Sequence, residues 1–331
     1  MTDKPGSTSP SAALGILPLP GTVGAHSALR QIGNTPLIEL THMSPKPGVR
    51  IFAKFEGTNP TGSIKDRVAR ALVCQLERDG RLHPGQRIVE ASSGNTAISL
   101  AMVARQRGYK VCVVLPEGVP PMIADTLMLF DVHLHWCKPL AGMRGAIEAA
   151  EQLAKDCGGV ALRQFQNPLN VHVHETETGE EIVRDLPDVD VFVAGIGTGG
   201  TITGVARRLR RHNPKVRIVG VEPHMGERLQ GLTCLDDHFA APLFDISLLD
   251  RRFLVTAARS LQLMREITAR EGLVAGVSSG AALHAALREA ERMDRGNIVV
   301  MFSDSGWKYL PSRPWDAAER DDPDLDEVHW W

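Results

Sequence analysis

The stretch Asn59-Pro60-Thr61-Gly62-Ser63-Ile64-Lys65-Asp66-Arg67 runs directly into VARALVCQLERDG (68–80), a turn feeding a helix. Ser63 carries the short hydroxyl of an N-cap, which places Lys65 within the first helical turn. A cation is disfavoured there, because the helix dipole and the free N–H groups are both positive. Such a position lowers the cost of a neutral amine, and a neutral lysine amine is the nucleophile of Schiff-base chemistry. Spacing alone leaves a plainer alternative standing, a lysine that sits in a first turn by chance.

Outward from this turn, short β-branched runs alternate with alanine-rich helical stretches. RIVEA (87–91), TAISLAMVARQR (96–107) and KVCVVLP (110–116) follow one another, and DVFVAG (190–195), ITGVARRLRR (202–211) and VRIVGVE (216–222) repeat the theme. Apolar runs without alternation suit strands buried on both faces, and helices between them suit parallel βαβ units. The pattern predicts an α/β fold with mostly parallel sheets flanked by helices. The theme recurs once in each half without any repeat of sequence.

Composition bounds the function. The chain has 331 residues, 43% hydrophobic and 23% charged, the make-up of an ordinary globular protein of about two domains. Lys plus Arg number 37 against 39 Asp plus Glu, so the chain lacks the basic excess that drives binding to nucleic acid or anionic membranes. No run approaches the roughly 18 to 20 apolar residues of a membrane span. The N-terminal apolar patch is broken by Pro18 and Pro20, which reads against a signal peptide. Five scattered cysteines (Cys74, Cys112, Cys137, Cys157, Cys234) without a C-x-x-C pair read as small hydrophobes in a reducing cytoplasm, and no metal site is expected.

Three glycine-rich turns carry further signals. Gly195-Ile-Gly197-Thr-Gly199-Gly200 follows a strand, opens a helix and is trailed by Glu222 at the end of the next strand, which matches the dinucleotide fingerprint. Physically it states only that N–H groups at a helix start can hold a phosphate; a nucleotide, another phosphate or a plain turn all remain open. Ser92-Ser93-Gly94-Asn95-Thr96-Ala97 reads either as a helix cap on Thr96 or Asn95, or as a cradle for a carboxylate. Gly276-Val-Ser278-Ser279-Gly280 reads as a cap unless other evidence gives it more.

Taken in order, these segments resemble the cysteine synthase (O-acetylserine sulfhydrylase) family of fold-type II pyridoxal-phosphate enzymes, and its cysteine synthase B branch in particular. The likeness runs from Gln31 to about Leu310 through IGNTPL, NPTGSIKDR, SSGNTA, QFQNPLN (164–170), GTGGT, VEP and GVSSGAAL, with the branch suggested by VEP and DSGWKYL. It implies that Lys65 holds pyridoxal phosphate covalently, while Gly197, Thr198, Gly199, Gly200 and Thr201 bind its phosphate. Glu222 then becomes a structural residue. Asn95 should contact the ring hydroxyl and Ser278 the pyridine nitrogen; Ser92, Ser93, Asn95, Thr96 and Gln164 should hold the substrate carboxylate. A hydroxyl at the pyridine nitrogen supplies no charge to keep it protonated, which suits elimination over transamination. The implied reaction is a β-replacement in which freed Lys65 removes the α-proton, the β-substituent leaves, and a sulfur donor adds to give L-cysteine.

The resemblance also implies an organisation: a loose arm over 1–28, strands of the larger domain and a crossover over 29–60, a smaller mobile domain over 61–165, the larger domain over 166–314, and an acidic tail over 315–331. A cytoplasmic homodimer acting on small amino acids, with no nucleic-acid or membrane partner, is the expected setting. Several residues depart from the family pattern. Ala97 replaces a usual glycine, Ser92 a common threonine, and Glu177 and Glu180 stand where Thr and Pro are common. VPPMIADTLMLFDV (119–132) replaces a basic helix. Relatives using O-phosphoserine should place an arginine near Thr233; its absence favours O-acetylserine, although Arg228 lies close in sequence. Cystathionine β-synthase or O-phosphoserine sulfhydrylase activity is the alternative within the family. A non-catalytic paralogue that binds a peptide or metabolite in the cleft is the alternative outside it.

Overall fold

Strands that read as continuous apolar runs need cover on both faces, and helices supply it here. The computed structural model describes residues 27–92, 94–116, 119–137, 142–227, 229–235, 242–312 and 328–329. Ser93, Arg228, most of the N-terminal arm and most of the acidic tail therefore lie outside the described residues. The strands are β1 (Leu37–Glu39), β2 (Val49–Phe55), β3 (Arg87–Ala91), β4 (Lys110–Pro116), β5 (His133–Cys137), β6 (Val160–Ala161), β7 (Val191–Gly195), β8 (Arg217–Pro223), β9 (Arg251–Val255), β10 (Gly296–Phe302) and β11 (Val328–His329). The helices are α1 (Lys65–Arg78), α2 (Asn95–Arg107), α3 (Pro121–Leu129), α4 (Gly142–Asp156), α5 (Leu169–Val173), α6 (Gly179–Asp185), α7 (Gly200–His212), α8 (Ala257–Glu271) and α9 (Val277–Glu291). A one-turn π-helix (His174–Thr178) joins α5 to α6.

The strands form two sheets, as the alternation of runs predicts. One has the order β1-β2-β10-β7-β8-β9-β11, the other β5-β4-β3-β6. The smaller sheet is parallel throughout. In the larger, only the outermost pairs are antiparallel, β1 with β2 and β11 with β9. One face of the larger sheet packs Leu263, Ile267, Leu283 and Ala286 of α8 and α9 against Val193, Val219 and Val300. The opposite face packs Ile182, Ile202, Val205 and Leu209 against Phe192, Ile218 and Val299. The smaller sheet is covered by α1, α2 and α3 through Leu72, Leu100 and Leu127, and by α4 through Ala146, Ala150 and Ala154. Since every connection in the parallel stretches crosses over, the carboxyl ends of the strands gather at one edge of each sheet, where loops build sites.

A buried ionic lattice anchors the Lys65 turn. Arg67, fully buried, donates to Glu56 Oε1 and Oε2 at 2.9 and 2.8 Å and to Glu181 Oε1 and Oε2 at 2.7 Å each. Lys54, also fully buried, reaches Glu181 Oε2 at 2.8 Å and the Thr35 carbonyl at 2.6 Å. These charges hold Glu181 down to about 2, against the burial that would raise it. The lattice accounts for one departure from the family pattern, since Glu177 pairs with Arg70 at 2.5 Å and with Arg67 at 3.3 Å. Glu180 is exposed and pairs with Arg208.

Candidate active site

Two expected helix caps come out differently. The N-cap of α1 is Ile64, and the buried Ser63 hydroxyl has no hydrogen-bond partner among the described residues. Instead the Asp66 carboxylate accepts from the Thr61 N–H at 2.8 Å and from the Thr61 hydroxyl, closing the turn from inside the helix. The acid in the first turn complements the dipole, while the Asp66 and Arg67 N–H groups go to the Ser63 and Ile64 carbonyls at 3.3 Å each, so α1 carries no side-chain cap. Lys65 is nonetheless the first residue of α1. At α2 the N-cap is Gly94, not Asn95 or Thr96, and the capping oxygen comes from further back: Ser92 Oγ accepts from the Ala97 N–H at 3.2 Å and from the Gly94 N–H at 3.4 Å. The third turn does behave as a helix start, with Gly276 as the N-cap of α9.

A cleft of about 500 Å³ is lined by Ile64, Lys65, Asn95, Gly195, Gly197, Thr198, Gly199, Thr201, Ile202, Gln230, Gly231, Leu232, Ser278 and Ser303. Segments far apart in sequence thus meet here. Gly200, buried, opens α7 directly behind the loop. Gly199 takes φ +79° as the N-cap of α7, a conformation suited to glycine, and a Cβ on it would meet Phe244 Cβ at 2.5 Å. At Gly197 a Cβ would collide with the Gly231 carbonyl. The loop is therefore backbone-lined: the Gly200 N–H donates to Thr198 Oγ1 at 3.4 Å, and the N–H groups that follow in the first α7 turn stand beside the hydroxyls of Thr198 and Thr201, a ready anion cradle.

Lys65 faces this cleft with its amine lowered to about 8, because burial penalises the ammonium; attraction to Asp304 works the other way. Burial is thus what favours the neutral amine. Asp304 is buried and raised by desolvation, and it lies at the centre of a network that sequence reasoning did not assign. Its Oδ2 accepts from Asn95 Nδ2 at 2.7 Å and from the Tyr309 hydroxyl at 2.8 Å. Lys308 Nζ donates to Asn95 Oδ1 at 2.6 Å. The Asn95 amide is thus fixed at both ends, with nitrogen and oxygen assigned by its partners. An acid ending the apolar strand GNIVVMF (296–302) was the available signal.

Ser92, Thr96 and Gln164 form a cluster of their own. Thr96 Oγ1 donates to Gln164 Oε1 at 2.6 Å, and Gln164 Nε2 donates to the Ala91 carbonyl at 3.3 Å. Behind them the buried Glu90 accepts from the Arg163 N–H at 3.0 Å, its carboxyl pushed up to about 8 by burial. Ala97 is buried in α2. Glu222 is structural: Oε2 accepts from the Leu235 N–H at 2.5 Å and Oε1 pairs with Arg252 at 2.7 Å. Asn170, also unassigned, donates to Thr198 Oγ1 at 3.2 Å and so braces the loop from behind. Among the described residues lining the cleft, Lys65 is the one cation.

A family model described as pyridoxal-phosphate dependent enzyme matches residues 28–304. Among curated proteins, cysteine synthase B of Escherichia coli is 37% identical over 286 residues, covering 86% of this chain and 94% of the relative. A cysteine synthase of Staphylococcus aureus is 35% identical over 289 residues, covering 84% and 93%. Among solved structures, O-ureido-L-serine synthase superposes with a TM-score of 0.85 at 34% identity, covering 90% of this chain and 98% of that one. Cysteine synthase from Entamoeba histolytica gives a TM-score of 0.82 at 30% identity, covering 97% and 96%.

Proposed function

The chain belongs to the family of pyridoxal-phosphate-dependent enzymes, and within that family we propose that it makes L-cysteine from O-acetyl-L-serine and sulfide by β-replacement. The observation that carries this reading is the cleft itself. A lysine amine at about 8, a backbone-lined anion cradle and the Ser278 hydroxyl converge on one space of about 500 Å³. These residues suit the cofactor. The cradle, with hydroxyls from Thr198 and Thr201, takes a phosphate; Asn95 and Ser278 offer hydrogen bonds to a ring; Lys65 supplies the amine for covalent attachment.

When bound, pyridoxal phosphate supplies the electron sink that stabilises negative charge at the carbon being activated. The protein supplies the rest. Lys65 Nζ must be neutral both to attach the cofactor and to accept the α-proton, and its burial brings that form within reach near pH 8. Ser278, which lines the cleft, would offer the ring nitrogen a hydroxyl, which adds no charge there. The amide of Asn95, held by Asp304 and Lys308, keeps one orientation whatever the ring does. The start of α2 and the paired Thr96 and Gln164 form the proposed seat of the substrate carboxylate. Closure of the unit over 61–165 on that carboxylate would exclude water. An acetylated donor matches a cleft whose one described lining cation, Lys65, is committed to the cofactor, because a phosphorylated donor would want a cationic fork. A homodimer in the cytoplasm belongs to the same reading, and sedimentation of the purified enzyme checks the first half of it. Among the described residues, no helix is long and apolar enough to cross a membrane.

The test crosses serine, O-acetylserine and O-phosphoserine with sulfide, thiosulfate and homocysteine, and scores the products by mass. Cysteine formed fastest from O-acetylserine and sulfide is the expected result. Cystathionine as the main product, or cysteine from O-phosphoserine alone, would replace the assignment. A protein that takes up cofactor and turns over none of the nine pairs would be the non-catalytic paralogue.

A further inference from the structure

The π-helix (His174–Thr178) lies against α7, and its first side chain is unexplained by anything above. His174 is completely buried. Its Nδ1 lies 3.0 Å from Thr178 Oγ1, one turn further along, and its Nε2 lies 3.3 Å from Thr201 Oγ1 in the anion cradle. Close approach of the two elements is built into the sequence. Gly204, three residues after Thr201 and on the same face of α7, would carry a Cβ 2.9 Å from His174 Cβ. Any side chain there would push α7 away and separate Thr201 from the ring. Single π turns inside helices recur at functional sites, and here the π turn is what brings His174 and Thr178 under the loop.

We infer that His174 is a positioning residue for the cofactor phosphate: carrying its proton on Nε2, it donates to Thr201 Oγ1 and so turns the Thr201 hydroxyl proton into the cleft. The direction follows from counting donors. Burial, together with the positive charges of Lys65 and Arg67, keeps the imidazole well below its usual range, so the ring is neutral, with one donor and one acceptor. If Nδ1 carried the proton, it would donate to Thr178 and Nε2 would accept from Thr201. The Thr201 oxygen would then present lone pairs to a phosphate dianion, which is repulsive. With the proton on Nε2, Thr178 donates to Nδ1, Nε2–H donates to Thr201, and Thr201 donates to the anion. Every donor along the line has an acceptor, and each hydrogen bond polarises the next.

The inference rests on reading Gly197–Thr201 as the phosphate loop, and the test separates the two. In the holoenzyme with 15N-labelled histidine, the His174 ring should show a protonated Nε2 and a bare Nδ1. Cofactor affinity, from titration of the apoenzyme, and the 31P signal of the bound phosphate are then followed in His174→Gln, His174→Asn and Thr201→Ala. The glutamine amide nitrogen reaches the Nε2 position, whereas asparagine reproduces only Nδ1. Glutamine should therefore keep the affinity within about threefold and the 31P signal unshifted, while asparagine and the Thr201 variant lose about tenfold, as expected for one hydrogen bond to a charged group. A proton on Nδ1, an imidazolium, or asparagine equal to glutamine would overturn the role of His174 even if Thr201→Ala weakens binding. No effect of Thr201→Ala on either readout would overturn the loop reading and the inference with it. The nitrogen spectrum of the unsubstituted holoenzyme decides the matter if the variants do not fold.

Discussion

At one corner of the molecule β7 turns through Gly197, Thr198 and Gly199 into α7; at another, β3 turns through Ser92 and Gly94 into α2. Both are strand–turn–helix corners with glycines and hydroxyls, and both read in sequence as anion cradles. They differ in what fills their first-turn N–H groups. At α2, Ser92 folds back and accepts from the Ala97 and Gly94 N–H groups itself. At α7 the N-cap Gly199 has no side chain, and Thr198 Oγ1 accepts from the Gly200 N–H alone, at 3.4 Å, so the Thr201 and Ile202 N–H groups keep no side-chain cap beside the cleft. A helix start that caps itself is partly spent on stability; one capped by glycine is left for a ligand.

The largest expected effect tests whether either corner matters without the amine between them. Lys65→Ala should lower turnover by about 10³-fold or more while the chain still binds cofactor through the α7 corner. Equilibrium dialysis with pyridoxal phosphate checks the second half, and loss of all binding would make the lysine, not the cradle, the main anchor. Next, Gly199→Ala should cost at least about tenfold in cofactor affinity by titration. It places a side chain at φ +79° and against Phe244. An unchanged affinity would erase the distinction between the corners.

The amine between the two corners sets a pH dependence of its own. With the Lys65 amine at about 8, covalent capture of cofactor by the apoenzyme should rise about tenfold per pH unit below pH 8 and level off above it. The sign follows from the neutral amine being the reactive form. Stopped-flow absorbance of the attached cofactor measures it, and a rate still climbing at pH 10 would mean an ordinary lysine. The smallest effect belongs to the α2 corner. Ser92→Ala should cost about 1 kcal/mol of thermal stability, the usual worth of a capping hydroxyl, with cofactor affinity held within about twofold. A large loss of affinity without loss of stability would reverse the assignment of the two corners.

The sheets were readable from local signals, apolar runs and glycines at helix starts, whereas Lys65, Asn95, Gly197, Thr198, Gly199, Thr201 and Ser278 of the cleft lining came together through the resemblance of motifs. What escaped reading depends on contacts across the chain. Asp304 meets Asn95 over 209 positions, and Thr201 meets His174 only because Gly204 lets two helices touch. The expected Ser63 cap failed for a related reason. Asp66 closes the turn on Thr61 while backbone carbonyls of Ser63 and Ile64 take the first-turn N–H groups, and a sequence does not state whether a hydroxyl or the backbone serves them. Glu177 shows the opposite case, a residue that looked like a departure until Arg70 was seen beside it.

The order of the larger sheet has a consequence for synthesis of the chain. β1 and β2 are made early, but the neighbour that β2 pairs with in parallel is β10, at Gly296–Phe302. The smaller sheet is contiguous and has all its strands once residue 161 has emerged. A nascent chain can therefore assemble the smaller sheet first while the hairpin of β1 and β2 waits, one edge unpaired, for most of the remaining length. Lys54 and Arg67, both fully buried, lack one shared partner until then, since Glu181 reaches them only after the strands of the smaller sheet are made, although Arg67 already has Glu56. The last steps of translation are thus the ones that close the frame around the cleft.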